Sequence, residues 1–128
     1  MKKVYLTLCL LALMVLSVGC TPAFAADWYY VGTSDDGTES VYIDNSSVEK
    51  NNRSAIIWEK WVHSDGTNSL QRVYYTRRPK TCTLLSYTQY DAQGDIMYSE
   101  DIPSYEQTSE AIRPDTMAET IWYYIWSY

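Results

Sequence analysis

The sequence has little of the chemistry on which most enzyme and metal sites depend. It contains one histidine, His63, and three cysteines, of which only Cys82 lies beyond residue 25. A lone histidine lacks the further nitrogen or thiolate ligands that zinc needs, and it lacks the partner that a general base needs. Nucleophile motifs and phosphate-binding glycine loops are missing as well. We therefore expect no catalytic residue, no metal site and no cofactor, and we expect His63 to be an ordinary residue at a strand end.

Long apolar runs are also scarce, and the one that exists lies at the start of the chain. Residues 4–18 are mainly apolar, two lysines precede them, and the small-residue sequence Ala-Phe-Ala follows at residues 23–25. This arrangement is typical of a secretory signal peptide, and the run is too short to span a membrane. The pattern predicts a signal peptide over residues 1–25 and a single domain over residues 26–128.

A second interpretation of the same segment involves Cys20. Gly-Cys at residues 19 and 20 resembles the end of a bacterial lipoprotein cleavage site, although Ser17 stands where a leucine is usual. Lipid attached at Cys20 would then be the only connection of the domain to a membrane. Both interpretations predict an extracytoplasmic protein of a bacterium, whether secreted, periplasmic or on the cell surface.

Positive charge is scarce beyond the signal peptide, where 8 lysines and arginines face 16 acidic residues. A net charge of −8 repels phosphates, so we expect no nucleic-acid partner. Four of these eight cations lie within residues 72–80, next to two tyrosines at positions 74 and 75. Such a segment can hold an acidic or extended protein partner by charge and stacking, although charges and a proline can equally protect a strand end from aggregation. The predicted ligand-binding residues are Arg72, Tyr74, Arg77, Arg78 and Lys80.

Alternating apolar and polar residues, separated by turn signals at Gly37, Gly66 and Gly94, predict a series of short antiparallel strands. The central one is the longest strand-forming run that no glycine or proline interrupts, Ser54–His63. It has apolar residues on both faces, so it should have a neighbour on each side. The predicted strands are 27–33, 39–44, 54–63, 69–76, 80–90 and 95–101.

The end of the chain predicts one helix. Proline and aspartate at positions 114 and 115 are favourable in a first helical turn. Five apolar residues then recur at spacings of one, three and four, which draws one stripe along a helix. Burying that stripe would contribute on the order of 8 to 12 kcal/mol before entropy is subtracted. The stripe consists of Met117, Ala118, Ile121, Trp122 and Ile125. The expected fold is therefore α+β, an antiparallel β-sheet of about six strands with one C-terminal α-helix packed on one face.

The order of these features resembles the bacterial surface-adhesin protein E family, over essentially the whole chain beyond the signal peptide. The matching features are Trp28, Tyr42-Ile43-Asp44, Ser47-Val48, Trp58, Cys82, the turn at residues 90–94 and the sequence Ile-Arg-Pro-Asp-Thr at residues 112–116. The resemblance implies the same sheet-and-helix fold and an exported or lipid-anchored protein. It also implies an adhesin for host matrix proteins such as vitronectin and laminin.

This chain departs from the family at one position. The family's second cysteine, which would pair with the residue matching Cys82, is missing about where Trp126 stands. The resemblance thus implies that apolar contacts alone hold the helix to the sheet. Cys82 is then expected to be a buried small hydrophobe rather than a nucleophile.

Two functions follow from the sequence. The first is a non-enzymatic, adhesin-like binding protein that recognises a host matrix protein or an envelope protein. The alternative is a structural or assembly protein of the cell envelope that forms a homodimer by pairing a sheet edge with a second copy. A hydrolase that uses Glu100 and Asp101 is disfavoured, because adjacent strand residues point to opposite faces and cannot flank one bond.

Overall fold

A computed structural model describes residues 25–127. The predicted signal peptide and the lipid site at Cys20 therefore lie outside the described residues, except for residue 25 itself. Eight strands and one α-helix follow one another within these residues. They are β1 Trp28–Thr33, β2 Glu39–Asp44, β3 Glu49–Lys50, β4 Ser54–His63, β5 Asn68–Thr76, β6 Thr81–Tyr90, β7 Ile96–Asp101, β8 Ser109–Ala111 and α1 Met117–Ser127. A single 3₁₀ turn, Asn45–Ser47, follows β2 and is capped by the Asp44 carboxylate.

The strands form one antiparallel sheet in the order β1-β2-β4-β5-β6-β7, with the helix on one face, so the predicted fold is confirmed. The six predicted strands are correct to within one residue. Two further short strands, β3 and β8, lie between the predicted elements and were not predicted. β3 pairs with the part of β4 that extends beyond β2, and β8 pairs with the part of β6 that extends beyond β7.

The core lies between the sheet and α1. Alternation along each strand directs one set of side chains toward the helix, and the buried apolar residues of the sheet belong to this set. The buried apolar residues are Val41, Ile43, Ala55, Ile57, Val73 and Tyr75 from the sheet, with Ile121 and Ile125 from the helix. The other face of the sheet, which we call the open face, carries Tyr42, Trp58, Lys60, Arg72 and Tyr74, all of them half-buried.

The helix begins at Met117, so the predicted start at Pro114 and Asp115 is wrong. Thr116 Oγ1 accepts a hydrogen bond from the Glu119 amide at 3.3 Å, and the Glu119 carboxylate accepts one from the Asp115 amide at 2.8 Å. This arrangement is close to a capping box, which fixes a helix start at the threonine. Asp115 has a φ of 57°, in the left-handed region, and it therefore cannot be the first residue of the helix.

The contact between α1 and the sheet, which we call the helix seam, is held by packing and by side-chain hydrogen bonds to main-chain carbonyls. The indole N–H groups of Trp122 and Trp126 donate to the carbonyls of Thr76 at 3.0 Å and Asn51 at 3.3 Å. Within the described residues Cys82 has no disulfide partner, and it is half-buried, not buried as the sequence predicted. No helix within residues 25–127 is both long enough and apolar enough to cross a membrane.

Candidate functional site

Two turns meet at one end of the sheet and bring arginines together. The hairpin of β4 and β5 pairs Ser54 with Thr76, so the residue before β4 lies beside the residue after β5. The Arg77 amide donates a hydrogen bond to the Arg53 carbonyl at 2.8 Å, which fixes the two turns against each other. The arginines at positions 53, 77 and 78 therefore occupy one end of the molecule although they come from separate parts of the sequence.

These turns enclose a surface pocket of about 420 Å³ lined by Asn52, Arg53, Arg77 and Arg78, which we call the arginine pocket. Within residues 25–127, none of its three guanidinium groups has a carboxylate oxygen within 4.0 Å. Like charges brought together without a counter-ion repel one another. A guanidinium presents several N–H donors in a planar fork that matches a carboxylate or a similar anion. The arginine pocket is therefore suited to an anionic ligand.

Lys80 belongs to the helix seam and not to the arginine pocket. Its Nζ lies 2.6 Å from Glu119 Oε1, and 4.5 Å from the ring centroids of both Trp122 and Tyr123. The hydrogen bond with Glu119 raises the pKa of Lys80 and lowers the pKa of Glu119. These contacts connect the helix to the start of β6. Because the ammonium group is already engaged in them, it is poorly placed to bind a ligand.

Arg72 and Tyr74, the remaining two predicted ligand-binding residues, lie on the open face. Arg72 Nη2 is 3.9 Å from Glu49 Oε1, a long contact between two partly exposed groups. Tyr74 pairs across the sheet with Ile56 on β4 and Thr83 on β6. The structure thus distributes the five predicted residues over three places, and only Arg77 and Arg78 line a common pocket.

Arg53 and Asn52 were not predicted as site residues. The sequence feature that would have allowed their prediction is the turn at Asp65 and Gly66 between β4 and β5. Counting outward from that turn in an antiparallel hairpin places Arg53 opposite Arg77. Only the pairing of the two strands, and not the local composition around residue 53, shows that this arginine joins the cluster.

A second cleft, of about 280 Å³, lies on the helix-covered face and contains a buried carboxylate. Glu59 is 2% exposed and accepts hydrogen bonds from Trp61 Nε1 at 3.0 Å and from Tyr75 Oη at 2.5 Å. Burial raises the pKa of Glu59, although both hydrogen bonds oppose the shift. Burial and the nearby Glu59 also raise the pKa of Tyr75 well above its usual value.

Cys82 lines this second cleft. Burial raises the pKa of its thiol, and the negative charges of Glu59 and Glu110 raise it further. A thiol with a raised pKa is a poor nucleophile, because only the thiolate attacks. Both oxygens of Glu59 are already occupied by protein donors, so this carboxylate acts as a polar anchor within the core rather than as a free base.

The described part of the chain offers no arrangement that could hold a metal ion. No group of three or more histidine, cysteine, aspartate or glutamate residues in this part has suitable geometry. His63 lies at the end of β4, with its Nδ1 3.2 Å from Glu39 Oε1. This contact is consistent with its predicted place at a strand end.

Comparisons with protein-family models, with curated proteins and with solved structures found no match to this chain.

Proposed function

We propose that this chain is an exported bacterial binding protein, non-enzymatic and adhesin-like, which holds an acidic segment of a host matrix protein or an envelope protein in the arginine pocket. The observation that carries the proposal is the convergence of Arg53, Arg77 and Arg78, for which residues 25–127 provide no counter-ion. The other two cations of the β5–β6 region, Arg72 and Lys80, both have an acidic neighbour within 4.0 Å.

The charge balance of the protein strengthens this argument. Acidic residues outnumber basic ones over the whole sequence, 16 to 10, so carboxylates suitable for pairing are abundant. A cluster that stays unpaired in such a protein gains nothing for the fold, since its members repel one another over a few ångströms. It does gain attraction and orientation for an acidic partner, because complementary charge raises the rate of association and fixes the register of binding.

The test uses purified protein and a hexaglutamate peptide as the probe, followed by capture of matrix and envelope proteins. Charge-assisted hydrogen bonds contribute about 1.5–3 kcal/mol each. The double variant Arg77→Glu, Arg78→Glu should therefore bind the peptide about 100-fold more weakly or worse. Its residual binding should also depend less on salt than that of the unmodified protein, since fewer screened charge contacts remain.

Arg113→Glu provides the matched control, because Arg113 is exposed and lies outside the arginine pocket. It should be compared with the single variant Arg78→Glu, which changes the net charge equally. We expect Arg78→Glu to weaken binding and Arg113→Glu to leave it nearly unchanged. Equal losses in the two variants would show that net charge matters and the pocket does not, and unchanged binding in the double variant would refute the proposal.

A second candidate function is self-association of a structural envelope protein through a sheet edge. The observation that favours it is the exposure of Tyr29 and Tyr30 on β1, at 46% and 51%, on a strand that ends the sheet. Sedimentation velocity over a range of concentrations would reveal such a dimer. The dimer should be lost in Tyr30→Lys, because a lysine on an edge strand opposes strand pairing.

A further inference from the structure

The sheet has two edge strands, β1 and β7. The outer edge of β7 is exposed and lacks two of the usual protections of an edge strand. Among the described strands β7 pairs only with β6, and every one of its six residues is exposed. Ile96, Met97 and Tyr98 are exposed by 63%, 61% and 50%. Proteins usually protect such an edge with lysine, with proline or by covering it. The sequence of β7, Ile-Met-Tyr-Ser-Glu-Asp, contains neither lysine nor proline.

The direction of the main-chain groups of β7 follows from one hydrogen bond. The Ile102 amide donates to the Leu85 carbonyl at 2.9 Å, while Asp101 pairs with Ser86. Since hydrogen bonds alternate along an antiparallel pair, the amides of Tyr98 and Glu100 point toward β6. The amides of Ser99 and Asp101 therefore point away from the sheet, where a further strand could accept them.

The other edge of the sheet differs from β7. The pairing of β1 with β2 is interrupted between Tyr30 and Gly32. The Tyr29 ring stacks on Tyr124 with centroids 4.9 Å apart, and Tyr30 Oη lies 2.6 Å from Thr33 Oγ1. The pairing of β7 with β6 also shifts register, between Tyr98 and Ile96, but it is regular from Tyr98 to Asp101. The β7 edge is thus the better template for strand addition.

Charge decides what can occupy the β7 edge. Asp95, Glu100 and Asp101 lie along it, and Glu100 is held in place by a hydrogen bond from the Tyr98 hydroxyl. Pairing with the β7 of a second copy would bring six carboxylates to one seam, and like charges on neighbouring strands are destabilising. We infer that β7 is a docking edge for an extended peptide of basic and apolar residues, which adds to the sheet as a further antiparallel strand.

The register of β7 specifies the pattern of the peptide. Glu100 and Asp101 point to opposite faces, so two adjacent basic residues can each meet one carboxylate. An apolar, β-branched residue two positions beyond the second basic residue would then lie against Tyr98, on the same face as Glu100. The register of β7 shifts between Tyr98 and Ile96, so it specifies the peptide only as far as Tyr98. Read from its N-terminus, an antiparallel strand of this kind begins Lys-Arg-Thr-Val. Main-chain hydrogen bonds provide the affinity in strand addition, and the side chains provide the specificity.

The experiment measures binding of a fluorescent decapeptide that carries this core to the full chain, by anisotropy. A peptide with two glutamates in place of Lys-Arg should not bind detectably. Glu100→Lys with Asp101→Lys should weaken binding of the basic peptide about tenfold, because two exposed charge pairs become repulsive. An affinity that stays the same after both charge changes, in the peptide and in the protein, would overturn the inference.

Ser99→Pro tests the main-chain part of the inference. It removes an amide that points away from β6, and proline is tolerated on edge strands. Ser99→Ala is its matched control, because both variants lose the Ser99 hydroxyl, which lies 2.8 Å from Thr88 Oγ1. We expect Ser99→Pro to abolish binding and Ser99→Ala to retain it. If the proline variant does not fold, N-methylation of the peptide residues that face β7 makes the same test on the unmodified protein.

Two further outcomes separate this site from other surfaces. Arg77→Glu with Arg78→Glu should leave binding of the basic peptide unchanged or slightly stronger. The test of the β7 edge is therefore independent of whether the arginine pocket binds an acidic ligand. A dimer that forms without peptide and disappears in Ser99→Pro would assign the edge to a second copy and overturn the inference. Equal binding of the peptide to Ser99→Pro and Ser99→Ala would overturn it as well.

Discussion

Lys80 and Arg78 lie two residues apart in the turn between β5 and β6, yet they meet opposite surroundings. The Lys80 ammonium is 2.6 Å from the Glu119 carboxylate and lies over the rings of Trp122 and Tyr123. The Arg78 side chain is exposed and lines the arginine pocket, where the described residues provide no carboxylate. One turn thus supplies a cation to the helix seam and a cation to a surface pocket.

This difference separates two uses of positive charge. In the helix seam, the cation is paired and stacked within the fold, so its removal should lower stability and leave ligand binding intact. In the arginine pocket, the cations have no acidic partner among the described residues, so their removal should weaken binding and leave stability nearly unchanged. A residue whose substitution lowered stability and ligand binding equally would contradict this distinction. The variants below are ordered from the largest to the smallest expected effect.

The largest effect is expected for Ile121→Ala in the helix seam. Ile121 is fully buried between α1 and the sheet, and such a truncation costs about 2–5 kcal/mol, since it removes buried surface and leaves a cavity. Urea denaturation would measure the loss. Tyr105→Ala is a suitable control, because Tyr105 is 83% exposed and its truncation should cost less than about 0.5 kcal/mol. Similar losses in both variants would show that the helix does not form the core contact described above.

A smaller loss of stability is expected for Lys80→Met. Methionine keeps much of the apolar stem against Trp122 but removes the ion pair with Glu119, so the melting temperature should fall by less than in Ile121→Ala. Affinity for hexaglutamate should stay the same. Differential scanning calorimetry and a peptide titration on the same sample would compare the two properties. A clear loss of peptide binding in this variant would mean that Lys80 belongs to the binding surface after all.

The smallest effect, and one that depends on pH, is expected for Glu59→Gln. Burial raises the pKa of Glu59 above its ordinary value of 4.5, so the folded protein holds this proton to a higher pH than the unfolded chain does. Its contribution to stability is therefore fully present below pH 4.5 and is lost as the pH rises through the raised value. Relative to Glu59→Gln, the unmodified protein should become less stable over this interval. A difference in unfolding free energy that does not change with pH would contradict the shift.

Much of the fold could be predicted because strand periodicity is a local signal. In β2, Val41 and Ile43 lie two positions apart on one face, and both are fully buried. Glycines with positive φ close the turns at Gly37, Gly66 and Gly94. β3 and β8 escaped prediction, since two or three exposed residues are too few to show a period. These two strands form only because β4 and β6 extend beyond their other neighbours.

The site was harder to predict than the fold, because it depends on pairing between distant segments. Arg53 joins Arg77 only through the register of β4 with β5, and Lys80 is removed from the cluster by Glu119, 39 residues away. The burial of Glu59 was hard to predict for the same reason, because it also depends on a distant segment of the chain. Alternation places it between Ile57 and Trp61 on one face, but only the docked helix makes that face the buried one.

The most direct test of the arginine pocket is an NMR titration that observes the Nε–Hε signals of the five arginines while hexaglutamate is added. We predict that the signals of Arg53, Arg77 and Arg78 shift together and saturate with one dissociation constant, because the three line one pocket. The signals of Arg72 and Arg113 should stay nearly constant, since these residues lie outside it. Equal shifts of all five signals, or no saturable shift of any, would contradict the account.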